Sequence, residues 1–174
     1  MKKTVITIAR SYGSGGKTLG NLLAEDLGIN CYSREILRMA SDESGINEAL
    51  FGQVDEKMKK SPLLFNILKK NPYKGGVLPP ESSDFVSDDN LFNYQAKVIK
   101  DLAAQESCII IGRCADYVLK DHDNCVHVFV CGDMDSKVQR MMHSYSLEES
   151  AAVERIKETD KQRKKYYSYY TGGD

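Results

Sequence analysis

The chain has no tryptophan, only four prolines and no excess of either charge, with 24 Lys plus Arg against 25 Asp plus Glu. A net charge of -1 gives no bulk electrostatic reason to coat nucleic acid or an anionic membrane, so neither is expected as a partner. No apolar run approaches the roughly 18 residues of a membrane-spanning helix. The basic start Met1-Lys2-Lys3 precedes an apolar run, Thr4–Ala9, that Arg10 cuts too short for a secretory signal. The expected location is therefore cytoplasmic. Cysteine is neither abundant nor paired: Cys31, Cys108, Cys114, Cys125 and Cys131 are odd in number and form no Cys-x-x-Cys. They read as buried small hydrophobes of a reducing compartment. His122, Cys125, His127 and Cys131 match no zinc spacing. What remains is ordinary: 174 residues, 41% apolar and 28% charged, enough for one domain, 1–174, whose core needs no disulfide staple.

Thr4–Ala9 is continuous and largely β-branched, as a strand buried on both faces requires, Cys108–Ile111 reads as a further buried strand, and Val126–Val130 as another strand. Ile29–Tyr32 is a shorter fourth candidate. Helical patterns fill the intervals. From Lys17, the residues Leu19, Leu22, Leu23 and Leu27 predict an inward stripe, stopped by Gly28. Ser33 is a candidate cap for a helix with Ile36, Leu37 and Ala40 inside. Asn47–Lys60 and a segment from Ser61-Pro62 predict two helices of an insert spanning 44–90. Asn71–Asp89 holds three of the four prolines and reads as a long exposed loop. Asp89 or Asn90 then caps a helix with Leu91, Phe92, Val98, Ile99 and Leu102 inward. Ala115–Leu119 is a short helix, Asp133 caps another through Met142, and Ser146 with Glu149 forms a capping box for the last. Alternating strands and helices predict an α/β fold with a parallel sheet, its core from 1–43 and 91–174.

The most specific feature is Ser11-Tyr12-Gly13-Ser14-Gly15-Gly16-Lys17-Thr18, set between a strand and a helix. That context makes a phosphate-binding loop, with Ser11 where the strict pattern has glycine. Gly13, Gly15 and Gly16 let several backbone N–H groups turn toward one anion, and the helix start adds partial positive charge. With Ser14 they form the ATP-binding stretch. Lys17 reaches the outer phosphates, and the Thr18 hydroxyl suits Mg2+. Arg113, directly after the third strand, stands where α/β proteins bind ligands. Asp160 and Arg163 lie three apart and share a helix face. Arg155 and the run Lys161–Lys165 read as solvated helix face, Asp116 as a capping residue, and Tyr166, Tyr167, Tyr169 and Tyr170 as packing.

Residues 4–28, 32–37, 91–103, 108–119, 127–130 and 156–172 together resemble, in order, the cytidylate kinase-like family of P-loop nucleoside monophosphate kinases. Beyond the glycine-rich loop, the most specific piece is CIIIGRCADYVL, where a strand ends in Gly-Arg. The resemblance implies a three-layer P-loop NTPase sandwich with a helical monophosphate-binding insert and a short lid. It implies transfer of the γ-phosphoryl of ATP to CMP, dCMP or a similar acceptor, with Mg2+. In its terms Lys17 is the phosphate-loop lysine, Arg113 faces the acceptor phosphate, Arg140 begins the lid, and Asp160 with Arg163 approaches the acceptor. True CMP kinases end the third strand in an acid where this chain has Ile111, and relatives usually carry Asp where Ser33 stands. The alternatives are a module that senses nucleotide without turnover and a P-loop kinase for another small molecule.

Overall fold

A computed structural model describes residues 3–53 and 75–173. Four strands, β1 (Val5–Arg10), β2 (Asn30–Tyr32), β3 (Cys108–Ile111) and β4 (Cys125–Val130), form one all-parallel sheet in the order β2-β3-β1-β4. Between and after them run α1 (Gly16–Leu27), α2 (Glu35–Ser44), α3 (Asp88–Gln105), α4 (Ala115–Val118), α5 (Met134–Tyr145) and α6 (Glu149–Thr171). Residues 48–53 are helical, and 75–87 carry only turns and bends. The later part of the expected Asn47–Lys60 helix, and the helix expected from Ser61-Pro62, lie outside the described residues.

Alternation along the central strands sorts the core. Val5, Cys108 and Ile110 join the side chains of α2, α3 and α4 on one face, while Ile8, Ile109 and Ile111 meet Ala24 of α1 on the other. The result is consistent with a three-layer sandwich. Each fully buried isoleucine contributes about 1.5–3 kcal/mol, so the four buried residues of β3 anchor the sheet's centre.

α1 does not pack as its leucines predict. Leu19, Leu22 and Leu27 are 46%, 56% and 53% exposed, and the buried positions are Gly16, Gly20 and Ala24. The cause is close approach: a Cβ on Gly20 would stand 2.8 Å from Cδ1 of Ile111 and 3.1 Å from Cδ1 of Ile8. Small residues four apart let the helix lie against the sheet, which turns the larger leucines outward; only Leu23 reaches the core.

Four expected caps differ as well: Asp116 does not cap α4, whose cap position is Cys114 with no side-chain cap bond. Ser87, not Asp89 or Asn90, caps α3 by accepting from the Asn90 N–H, which leaves Asp88 and Asp89 in the first turn near the positive helix end. Arg34 occupies the cap position of α2, and the Ser33 N–H donates instead to Glu35. Ser146 adopts φ 51 as the C-cap of α5, so α6 starts from Glu148 and the Ser146–Glu149 box does not form. Asp133 caps α5 as expected, accepting from the Ser136 N–H at 2.7 Å.

The loop before α3 is mostly exposed, as read, yet pinned at its base. Buried Asn90 accepts from the Leu78 N–H at 2.7 Å and donates to the Phe85 carbonyl at 2.7 Å.

Candidate functional site

In the order β2-β3-β1-β4, the chain leaves β1 toward β2 and leaves β3 toward β4, across β1. The crevice between the carboxyl ends of β1 and β3 is therefore a topological switch point, the usual ligand position in such sheets. The glycine-rich loop leaves β1 there, and the Gly112-Arg113-Cys114 turn leaves β3 beside it, tied by the Gly112 N–H to the Ile8 carbonyl at 3.0 Å.

The glycines of the loop are required by their backbone. Gly13 and Gly15 have φ 79 and 85, in the left-handed region that side chains disfavour. Space is also absent. A Cβ on Gly13 would stand 3.3 Å from Lys137 of α5, and one on Gly15 would collide with the Arg140 guanidinium. Gly16 lies against Arg10, whose own guanidinium fills the place of a Cβ on Gly112. The Ser14 hydroxyl donates to the Ser11 carbonyl at 2.8 Å and closes the loop on itself. Lys17 and Thr18 stand exposed at the first turn of α1.

Beside this loop lies an open cleft of about 930 Å³. Among the described residues, Arg10, Lys17, Arg34, Arg113, Arg163 and Lys164 line it, together with two acids, Asp116 and Asp160. Both acids are engaged by protein groups. Asp116 accepts from the Tyr167 hydroxyl at 2.8 Å. Asp160 accepts from the Tyr12 N–H at 2.5 Å and from Lys137 Nζ at 2.8 Å. The cleft therefore presents surplus positive charge at a helix start, which suits a ligand carrying several phosphates.

The structure brings Lys17, Arg113, Asp160 and Arg163 to this one cleft. Arg140 is not on its wall but reaches the glycine-rich loop from α5, against Gly15. Arg163 Nη1 donates to the Arg10 carbonyl at 3.1 Å, and its guanidinium lies 5.3 Å from the Tyr12 ring centroid. Arg155, though exposed, stacks 4.9 Å from the Tyr145 ring and 5.9 Å from that of Tyr12. Burial raises the Tyr12 hydroxyl above its ordinary value, with Arg155 opposing the shift. Glu35 falls below the usual carboxylate value because backbone N–H groups at the start of α2 bond to it, with a smaller contribution from Lys17.

The tyrosines of α6 do pack. Tyr170 stacks on Phe92 at 4.0 Å between centroids, and Tyr169 donates to Asp89 at 3.0 Å. Tyr166 and Tyr167 also line the cleft. Burial pushes the Cys108 thiol up to about 12 and that of Cys125 up to about 11, but the expectation of buried cysteines holds only in part: Cys108 and Cys114 are buried, Cys31 and Cys125 are partly buried, and Cys131 is exposed. His127 bonds to Thr7 Oγ1 at 2.8 Å, and no group of three metal-ligating side chains exists among the described residues.

Sequence reasoning passed over Arg10, Arg34 and Lys137. Arg10 had a signal, a cation interrupting an apolar strand just before the glycines. Lys137 had one too, a cation on the stripe that includes Val138 and Met141. Arg34 had none.

The site is a cationic cleft at the switch point of the parallel sheet of an α/β protein, bordered by a glycine-rich helix start. The chain belongs to the cytidylate kinase-like family, whose profile matches residues 5–174. It is similar to a solved structure described as an uncharacterized protein from Eubacterium ventriosum ATCC 27560, with 27% identity and a TM-score of 0.67 over 99% of this chain and 80% of that one. No curated protein sequence matches it. Among the described residues, no helix is long and apolar enough to cross a membrane.

Proposed function

We propose that the protein is a nucleoside monophosphate kinase that moves the γ-phosphoryl group of ATP to CMP, dCMP or a similar acceptor. The observation that carries this reading is the cleft itself: among the described residues, six cations and two acids line it, and both acids are bonded to protein groups. In the reaction an acceptor phosphate oxygen attacks the γ-phosphorus, the bond to the β–γ bridging oxygen breaks, and ADP leaves. Such transfer needs positioning and charge neutralisation more than covalent help. Residues Gly13–Thr18 cradle the donor phosphates, with Lys17 on the outer ones and Arg140 closing on the loop from α5. Arg113 and Arg163 neutralise the acceptor phosphate and the transferring group. The exposed Thr18 hydroxyl fits Mg2+, a hard cation held largely by phosphate oxygens and water, which supplies further charge neutralisation when bound. By this reading the working protein is cytoplasmic and needs neither nucleic acid nor membrane.

One observation favours a second reading, a module that senses nucleotide without turnover. Ile111 stands where CMP kinases proper carry an acid, and its side chain is buried against Gly20 of α1, away from the cleft. A coupled ADP-release assay across CMP, dCMP, UMP and AMP separates the two. Turnover of at least one acceptor is expected. Calorimetric binding of ATP–Mg2+ with no turnover of any of them would establish the sensor instead, and a preferred acceptor outside nucleotides would redirect the reading to another small-molecule kinase.

A further inference from the structure

Asp160 makes two contacts that resemblance does not foresee. One oxygen accepts from the Tyr12 N–H at 2.5 Å, at the point where β1 gives way to the glycine-rich loop. The other accepts from Lys137 Nζ at 2.8 Å, and Lys137 is only 7% exposed. One turn further along α6, Arg163 donates to the Arg10 carbonyl at 3.1 Å. A single helix face thus accepts from one backbone group and donates to another, two residues apart, at the root of the loop. Lys137 also flanks the loop: a Cβ on Gly13, at φ 79, would stand 3.3 Å from the Lys137 Cβ and carbonyl.

We propose that Asp160, oriented by Lys137, is a positioning residue that sets the glycine-rich loop for the donor nucleotide rather than a contact to the acceptor. The inference rests on the reading of that loop as phosphate-binding. Its physical basis is threefold. An irregular loop offers no ladder partner for the Tyr12 N–H, so an ionised carboxylate is the strongest available acceptor. A bare carboxylate under an anion-binding loop would repel phosphates, and Lys137 cancels that charge at bonding distance. Both carboxylate oxygens are also engaged, so an acceptor ribose or base would have to compete with a charge-assisted bond.

The test uses Asp160→Asn, which keeps an oxygen of similar shape but removes the charge, and Lys137→Met, which keeps the carboxylate and removes its partner. The first readout is amide hydrogen exchange at Tyr12, followed by NMR in the nucleotide-free protein. The second is the ATP–Mg2+ dissociation constant by calorimetry, set beside the acceptor KM and kcat at saturating ATP. Asp160→Asn is expected to speed exchange at Tyr12 and weaken ATP binding, each by about tenfold or more. The acceptor KM should stay within about twofold of wild type, the split expected of uniform loss of donor binding. Lys137→Met should weaken ATP binding in the same direction, and it carries the measurement if circular dichroism finds Asp160→Asn unfolded. Unchanged Tyr12 exchange, or a rise confined to the acceptor constant, overturns the proposal. If wild type binds no nucleoside triphosphate, the kinase reading fails by itself, and Tyr12 exchange still decides whether Asp160 holds the loop.

Discussion

Two turns leave the centre of the sheet side by side and solve the same problem with different residues. The turn after β1 places glycine at both left-handed positions, Gly13 at φ 79 and Gly15 at φ 85. The turn after β3 runs left-handed through Gly112, Arg113 and Cys114, at φ 76, 60 and 53. For residues with a side chain that conformation costs about 1–2 kcal/mol each. The first turn is shaped by its own sequence. The second is imposed by its surroundings: Cys114 is buried at 5% exposure, the Arg10 guanidinium lies on Gly112, and Asp116 of α4 is bonded to Tyr167. Strain of this kind gathers where a side chain must be aimed, and here it stands beside the cleft that Arg113 lines.

The largest effect should come from the unstrained turn. Lys17 is exposed at the first turn of α1, so Lys17→Ala should leave the fold intact while removing the charge that the kinase reading puts at the outer donor phosphates. Turnover is expected to fall by a factor on the order of 10²–10³ or more, with an unchanged far-ultraviolet dichroism spectrum. Near wild-type turnover in the folded variant would mean that the loop does not serve phosphoryl transfer.

The strained turn is probed by a pair of variants at one position. Arg113→Ala and Arg113→Gly both remove the guanidinium. Each should raise the apparent acceptor constant by about tenfold or more and leave that for ATP nearly unchanged. Only the glycine variant relieves the left-handed backbone, so it should be more stable than the alanine variant by about 1 kcal/mol in urea unfolding. Equal stabilities would remove the distinction between the two turns. The converse change, Gly15→Ala, imports strain into the β1 turn and displaces the Arg140 guanidinium. A loss of about 1–2 kcal/mol is expected, together with weaker ATP binding by calorimetry.

The same contrast explains what could be read from the sequence. The strands were legible because β3 is a continuous apolar run and β1 and β4 are rich in β-branched residues, although β4 lies largely exposed, and the glycine-rich loop was legible because its conformational demands are met by the residues that stand there. The packing face of α1 was not. Helical periodicity ranks leucine over glycine, whereas close approach to Ile8 and Ile111 selects Gly16, Gly20 and Ala24. The Ser146–Glu149 box was misread because its local pattern was right but the turn between α5 and α6 puts Ser146 in a left-handed C-cap. At the site, cations after strands could be found by position, as with Arg113. The bracket of Lys137, Asp160 and Tyr12 could not, since it joins residues 23 and 148 apart in sequence.

The smallest effect concerns what holds the strained turn in place. Tyr167 of α6 donates to Asp116 at 2.8 Å, which ties α4 to the carboxyl end of the last helix. Burial raises the Tyr167 phenol above its ordinary value of 10.0, and the hydrogen bond to Asp116 raises it further. A phenol that keeps its proton longer when folded stabilises the fold fully below pH 10.0. Above that pH the unfolded chain binds fewer protons than the folded one, so stability must decline as the pH rises. Tyr32 and Tyr169, each pushed up to about 12, act in the same direction. Tyr167→Phe should therefore cost about 1 kcal/mol near neutral pH and should also flatten, without abolishing, the decline between about pH 10 and about pH 12. Urea unfolding of both proteins at about pH 8 and about pH 11 measures the two effects together. If the variant loses stability with pH as steeply as wild type, Tyr167 does not brace α4, and the left-handed Arg113-Cys114 turn is held by other contacts, among them the Gly112 N–H bond to the Ile8 carbonyl and the burial of Cys114.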